Sequence, residues 1–306
     1  MSVIDPKRTS ASRLFLSSLC VQWRQLGWCH EATHMGRADK LFTDGEAYER
    51  LMGRWSRLAG ESFLNWLDAS KGLRWLDVGC GNGAFTEELI ARLAPAAVTA
   101  IDPSEDQLAY ARTRAGAEVA DFRVGDARKL TFDDGSFDVA VMALVISFLP
   151  DPAKAIAEMT RVVRHGGWVA TYMWDVPGGG VPCDPIYVGL ESTGMTSVRP
   201  PNAGSSTREA MQKAWEMAGL SSIETRTIRI PISYSNFDDF WDSNTVPIGP
   251  QGKLIDGMSK SAREQLRTRV RERLPASSDG RIAYEAFANA VKGRVTSGFG
   301  ANPDIA

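Results

Sequence analysis

Histidine and cysteine are scarce in this chain, at three and four residues among 306. Cys20, Cys29, Cys80 and Cys183 form no C-x-x-C pair, which argues against a zinc ribbon or a thioredoxin-type motif. His30 and His34 stand four apart beside Cys29, but no further ligand types cluster around them, so no metal site is expected. The plain reading of the four thiols is reduced cysteine in a cytoplasmic protein. An excess of charge is lacking too. Net charge is −2 and the pI is about 6.0, so the composition gives no domain-wide basic surface for nucleic acid. Long apolar runs are also missing. The apolar stretch near the N-terminus is broken by Gln22, Arg24 and Gln25, too short and too polar for a membrane span.

What remains has the make-up of a globular protein. Hydrophobic residues at 43% and charged residues at 24% fit a soluble chain with a sizeable core. The length suggests one large domain or one domain with additions. Residues 1–40 differ from the rest, being basic, serine-rich and poor in acids until Glu31. They read either as a targeting segment or as an extension ahead of a start at Met35. Residues 41–295 are expected to form the domain, and 296–306 a tail.

From residue 41 the pattern is regular. "EAYERLMGRWSRLAGESFLNWL" spaces its apolar residues as a helix does. Strands are expected at "LRWLDVG", "AAVTAID", "EVADFRVGD", "FDVAVMALVISF" and "WVATYMWD". Between them lie the helices "AFTEELIARLA", "SEDQLAYARTRAG" and "PAKAIAEMTRVVRHGG". The second of these starts on Ser104 as N-cap and stops at Gly116, and the third is ended by its two glycines. Such alternation argues for a parallel sheet covered on both faces. After Asp175 the rhythm breaks. "TREAMQKAWEMAGL" reads as a helix, "IETRTIRIPISY" as a strand and "SAREQLRTRVRERL" as a solvated helix, whereas residues 186–204 are poorly patterned. "GRIAYEAFANAVKGRV" has a helical propensity that a sheet could override.

The stretch "WLDVGCGNGAFTEEL" carries the chemistry. Gly79, Gly81 and Gly83 sit where the first strand turns into its helix. Glycine there can take positive φ and admit a ligand to the backbone, beside the free N–H groups of a helix start. Ligands of open α/β sheets lie beyond the carboxyl ends of the strands. Asp77 precedes the turn. Asp102 ends the second strand, roughly 20 residues on, where a carboxylate can take both ribose hydroxyls. Asp126 follows the third strand, where an acceptor would suit an adenine amino group.

Together "LDVGCGNG", the acid in "AIDPS", "VGDARKLTFDDGSFDVAV" and "EMTRVVRHGGWV" resemble the motif series of class I S-adenosylmethionine-dependent methyltransferases. They are most similar to the branch containing the ubiquinone and menaquinone C-methyltransferases. The resemblance is close over residues 46 to 175 and loose beyond, and "RHGG" stands where that family usually has "KPGG".

The resemblance implies an α/β Rossmann-like fold. Its seven-stranded, mostly parallel sheet has helices on both faces and a small helical lid insertion. "IETRTIRI" would be strand six, and the alanine-rich segment strand seven, antiparallel beside strand five. It implies S-adenosyl-L-methionine as cofactor. Gly79, Gly81 and Gly83 would lie under its methionine part, Asp77 near its amino group and Asp102 on its ribose. Pro103 and Ser104 would flank the adenine, whose edge would meet Asp126 and Ala127. Ala143 and Leu144 would lie near the reacting methyl. Tyr48 and Arg54 are expected to close over the cofactor, with Arg54 on its carboxylate, or else Arg54 is simply exposed beside a core Trp55.

Methyl transfer asks mainly for placement and exclusion of water. Tyr172, Trp174 and Asp175 are expected on the substrate side, although no base stands out. Segments 176–204 and 236–280, with Tyr187, Met195, Phe237, Phe240 and Trp241, would form either an aromatic lid or ordinary core. The expected partner is a small-molecule methyl acceptor. Competing readings are a nicotinamide-dependent oxidoreductase, for which no Tyr-x-x-x-Lys pair exists, and a non-catalytic cofactor binder.

Overall fold

A computed structural model describes residues 52–247 and 249–296. The expected extension 1–40, Tyr48 and the tail beyond Thr296 lie outside the described residues.

The first described helix, α1 (Arg54–Leu67), buries Trp55, Ala59, Phe63, Leu64 and Leu67 along one stripe and ends where Asp68 turns left-handed. That spacing is the apolar face of a surface helix. β1 (Arg74–Val78) is buried after its first residue, as befits a central strand covered on both faces. It is followed by α2 (Ala84–Leu93), β2 (Ala97–Asp102), α3 (Glu105–Ala111) and β3 (Ala120–Val124). Next come β4 (Phe137–Ala143), α4 (Pro152–Val162) and β5 (Val163–Trp174). Ser104 caps α3 by accepting the Gln107 N–H. The helix ends at Ala111, ahead of Gly116, which takes a positive φ of 75°.

The later part of the chain comprises α5 (Asp184–Ser192), α6 (Arg208–Met217) and β6 (Ser221–Tyr234). Three helices follow, α7 (Phe237–Asn244), α8 (Gly249–Asp256) and α9 (Lys260–Arg273), before β7 (Ile282–Arg294). The sheet order is β3-β2-β1-β4-β5-β7-β6. β1 to β5 are parallel, and β7 runs antiparallel to both β5 and β6. The expected seven-stranded Rossmann-like sheet is present.

β7 forms a strand against its propensity for a physical reason. Ala288 and Ala290 stand opposite Trp174 and Tyr172 of β5. On the other side, Ala286, Ala288 and Ala290 oppose Ile230, Ile228 and Arg226 of β6. Directly opposed residues share a face, so the alanines fill the narrow space between large neighbours. They are 0–1% exposed, which outweighs their modest helix preference.

Two local expectations are corrected. The glycines of "RHGG" do not end α4, which stops at Val162. Instead Arg164 to Gly167 form an irregularity early in β5, where pairing with β4 jumps from Phe137↔Val163 to Val139↔Trp168. Asp138 draws this stretch in. Its carboxylate accepts from Arg164 and from the Arg74 backbone at 2.8 Å, and a side chain at Gly167 would collide with the Asp138 carbonyl at 2.5 Å. His165 is exposed. Within 186–204 the weak pattern conceals most of α5, which starts with a proline in its first turn.

Candidate cofactor site

The loop after β1 is tied to the end of β2. Gly79 and Cys80 donate their N–H groups to the Ile101 carbonyl at 2.7 and 2.9 Å. Gly81 N–H donates to Asp102 Oδ2 at 2.9 Å, and Ser104 N–H to Asp102 Oδ1 at 2.9 Å. A carboxylate has about four lone-pair positions, so Asp102 shapes the turn and keeps accepting capacity. Gly125 N–H donates to the Asp102 carbonyl at 3.1 Å, which brings the β3 loop into the same group.

The three glycines have positive φ, between 53° and 78°, but they differ in what surrounds them. A Cβ at Gly79 would stand 2.7 Å from Val145 of the β4 loop, and one at Gly83 2.8 Å from the Ala111 Cβ. A Cβ at Gly81 would meet nothing within 4 Å. Close protein packing accounts for Gly79 and Gly83. Gly81 alone borders open space.

Asp77 is fully buried in β1. Thr86 Oγ1 donates to its Oδ2 at 2.7 Å, while Oδ1 has no hydrogen-bond partner among the described residues. Burial pushes its pKa up to about 7, opposed by the Thr86 hydrogen bond and reinforced by the nearby Asp102. A buried acceptor without a donor is costly and marks a position that a ligand's donor would complete.

Asp126 is held by its own neighbour. Arg128 donates from its backbone to Oδ1 at 2.9 Å and from its guanidinium to both oxygens at 3.0 and 2.8 Å. These contacts lower the Asp126 pKa against partial burial. Ala127 is buried and Pro103 exposed. At the end of β4, Leu144 has φ of 62°, a strained conformation for a bulky residue, fixed by its N–H donating to the Tyr172 carbonyl at 2.9 Å. The structure thus brings Asp77, Gly79, Gly81, Gly83, Asp102, Ser104, Asp126, Ala143 and Leu144 to the carboxyl ends of β1 to β4.

Arg54 does not join them. Its guanidinium donates to the Ser233 carbonyl at 2.9 Å and lies 3.9 Å from the Trp55 ring centroid. Ser233 is on β6, the edge strand four places from β1, roughly 19 Å away at ordinary strand spacing. Trp55 is core and Arg54 exposed, the second of the two expectations.

Tyr172 does not face a substrate space either. Its ring packs in the core, 4.7 Å from Phe63 and 5.9 Å from Phe85. Trp174 is buried as well. Asp175 is committed to its own turn, accepting from Gly178 N–H at 2.9 Å and from the Asn289 amide at 3.0 Å. Of the suspected lid residues, Phe237, Phe240 and Trp241 pack on one another and on Tyr234. Tyr187 is buried, and Met195 is half-buried against the core.

Sequence reasoning passed over Thr86, Arg128 and Asn82. Arg128 had a readable signal, a cation two residues after an acid. Thr86 had none, because its partner lies across the strand-to-helix turn.

Residues 76–171 match the family model described as "Methyltransferase domain". The phosphatidylethanolamine N-methyltransferase of Cereibacter sphaeroides is 40% identical over 104 residues, 33% of this chain and 50% of that protein. The ubiquinone/menaquinone biosynthesis C-methyltransferase UbiE of Dinoroseobacter shibae is 35% identical over 121 residues, 38% of this chain and 48% of that protein. Among solved structures, the phosphoethanolamine N-methyltransferase 2 of Haemonchus contortus in complex with S-adenosyl-L-methionine superposes with a TM-score of 0.51. It is 19% identical and covers 82% of this chain and 56% of that one. The chain spans half or less of the length of the curated relatives it matches first. It carries a methyltransferase domain on the S-adenosylmethionine-dependent methyltransferase fold.

Proposed function

We propose that this protein transfers a methyl group from S-adenosyl-L-methionine to a small-molecule acceptor. The observation that carries the reading is the pairing of a buried, unpartnered Asp77 oxygen with the open face of Gly81. An amino-acid moiety laid on Gly81 would give Asp77 its missing donor. Asp102 would take the ribose hydroxyls, and Asp126, with Ala127, the adenine edge.

The cofactor, when bound, supplies a methyl group already activated by a sulfonium centre. The protein's contribution is then placement and shielding. Leu144 and Ala143 form the wall at the end of β4, and their strained backbone fixes that wall's position. Asp175 is tied up in its turn, so the reading assigns no base, and an acceptor that is already nucleophilic suits the site. The relatives above act on nitrogen or carbon by their names, so the acceptor atom does not follow from family likeness.

In this reading residues 41–295 form the catalytic domain, with segments 176–204 and 236–280 covering the acceptor. Among the described residues no helix is long and apolar enough to cross a membrane, which agrees with the proposed cytoplasmic setting. Calorimetric titration with S-adenosylhomocysteine, with NAD as control, tests the reading. Binding of the first alone is expected, and binding of NAD alone would replace it with an oxidoreductase. Transfer of labelled methyl groups then separates an enzyme from a non-catalytic binder.

A further inference from the structure

We infer that Asn82 binds the carboxylate of the ligand's amino-acid moiety, so that Asp77 and Asn82 together recognise a zwitterion. The inference rests on the proposed function and names residues that would read one end of that ligand.

The argument begins with two orphaned atoms. Asn82 is 5% exposed, and its side-chain nitrogen has no hydrogen-bond partner among the described residues. Its orientation is not free. The amide oxygen accepts from Ala84 N–H at 3.2 Å. Turning the amide over would set donor against donor, so the atom left without a partner is a donor. Asp77 Oδ1 is the opposite case, a buried acceptor without a donor. The two residues bracket the turn whose Gly81 borders open space. Buried polar groups are seldom left unpaired, and one chemical group satisfies both at once: an α-amino acid, with its ammonium for Asp77 and its carboxylate for Asn82.

Two further observations strengthen the assignment. Arg54, the cation expected to hold that carboxylate, is engaged at Ser233 on the far edge strand. Asn82 is also held in place by its backbone, because Arg114 Nε donates to its carbonyl at 2.5 Å and Arg114 Nη1 to Glu87 at 2.8 Å. A fixed neutral donor needs no counter-charge when the ligand is absent, which suits a site that must also release its product.

The test compares three nucleosides by calorimetry on the full chain: S-adenosylhomocysteine, its decarboxylated analogue, and 5′-methylthioadenosine, which lacks both charged groups. The wild type is expected to bind S-adenosylhomocysteine at least tenfold more tightly than the decarboxylated analogue. In Asn82→Asp the Ala84 cap is retained but the donor becomes an anion. That variant should lose at least tenfold for S-adenosylhomocysteine and stay within twofold for methylthioadenosine. Equal losses for all three ligands would make Asn82 a structural residue. No loss would mean that its amide meets only water. Either outcome overturns the inference while leaving the proposed function intact. Should Asn82→Asp fail to fold, the wild-type comparison decides alone, and equal affinity with and without the carboxylate overturns the inference. Failure of the wild type to bind any of the three would overturn the proposed function and the inference with it.

Discussion

Asp102 holds Gly81 in place, its Oδ2 accepting the glycine N–H at 2.9 Å while its Oδ1 accepts from Ser104 at the same distance. The residue proposed to grip the ribose therefore also sets the loop proposed to carry the methionine part. Asp102→Ala is expected to weaken S-adenosylhomocysteine binding by about 1–3 kcal/mol, read by calorimetry. An unchanged affinity in a folded variant would sink the ribose assignment.

Asp77 predicts a pH-dependent stability. Burial raises its pKa from 3.8 to about 7 in the folded chain, so between those values the native state binds more protons than the unfolded one. Stability from this group is complete below pH 3.8, falls as pH rises towards 7 and is flat above. The loss is on the order of 4 kcal/mol if the whole shift is realised. Asp77→Asn removes the titration. Its melting temperature should exceed that of the wild type increasingly from pH 5 to pH 8, and parallel curves would refute the shift.

The glycines should separate by effect. Gly83→Ala combines a left-handed backbone with a collision against Ala111, which should cost about 2–4 kcal/mol in urea unfolding. Folded Gly83→Ala should bind S-adenosylhomocysteine within threefold of wild type. Gly81→Ala should be milder in stability, at about 1–2 kcal/mol, yet lose at least tenfold in binding, because its methyl enters the open space. The reverse ranking would move the ligand elsewhere.

Arg54 offers a negative control with content. Its guanidinium belongs to the β6 edge, so Arg54→Ala should leave S-adenosylhomocysteine affinity within twofold. Its cost in stability should be about 0.5–1 kcal/mol, from the lost cation–π contact. A tenfold loss of affinity would show that the side chain swings to the cofactor.

The sequence was most readable where a residue's role is local. Ser104 as N-cap and Asp102 at a strand end follow from positions a few residues apart, and the structure puts both where the pattern does. The parallel strands β1 to β5 were legible for the same reason, each being a short apolar run between turns. The side of the sheet that Tyr172 faces was not legible, because it depends on Phe63 and Phe85 arriving from two separate helices. Nor was the strand in "RHGG", whose form is set by Asp138 on a neighbouring strand. β7 needed knowledge of its partners, since alanines that suit a helix also suit a slot between isoleucines and aromatics. The distinction between Gly81 and its two neighbours was likewise invisible, because all three letters are the same and only the surroundings differ.

The place of β7 also governs when the molecule can be completed. It is the last strand in the chain, yet it lies between β5 and β6, and Lys292 at its far end donates to the Trp66 carbonyl in α1 at 3.2 Å. During synthesis the five parallel strands emerge early and can pair with neighbours close in sequence. β6 then emerges before the strand that joins it to them. Until residues 282–294 leave the ribosome, β5 and β6 each keep a bare edge, the kind of surface on which incomplete chains associate. A stalled or truncated chain ending before Ile282 would thus contain every proposed cofactor residue and still lack the strand that closes its sheet.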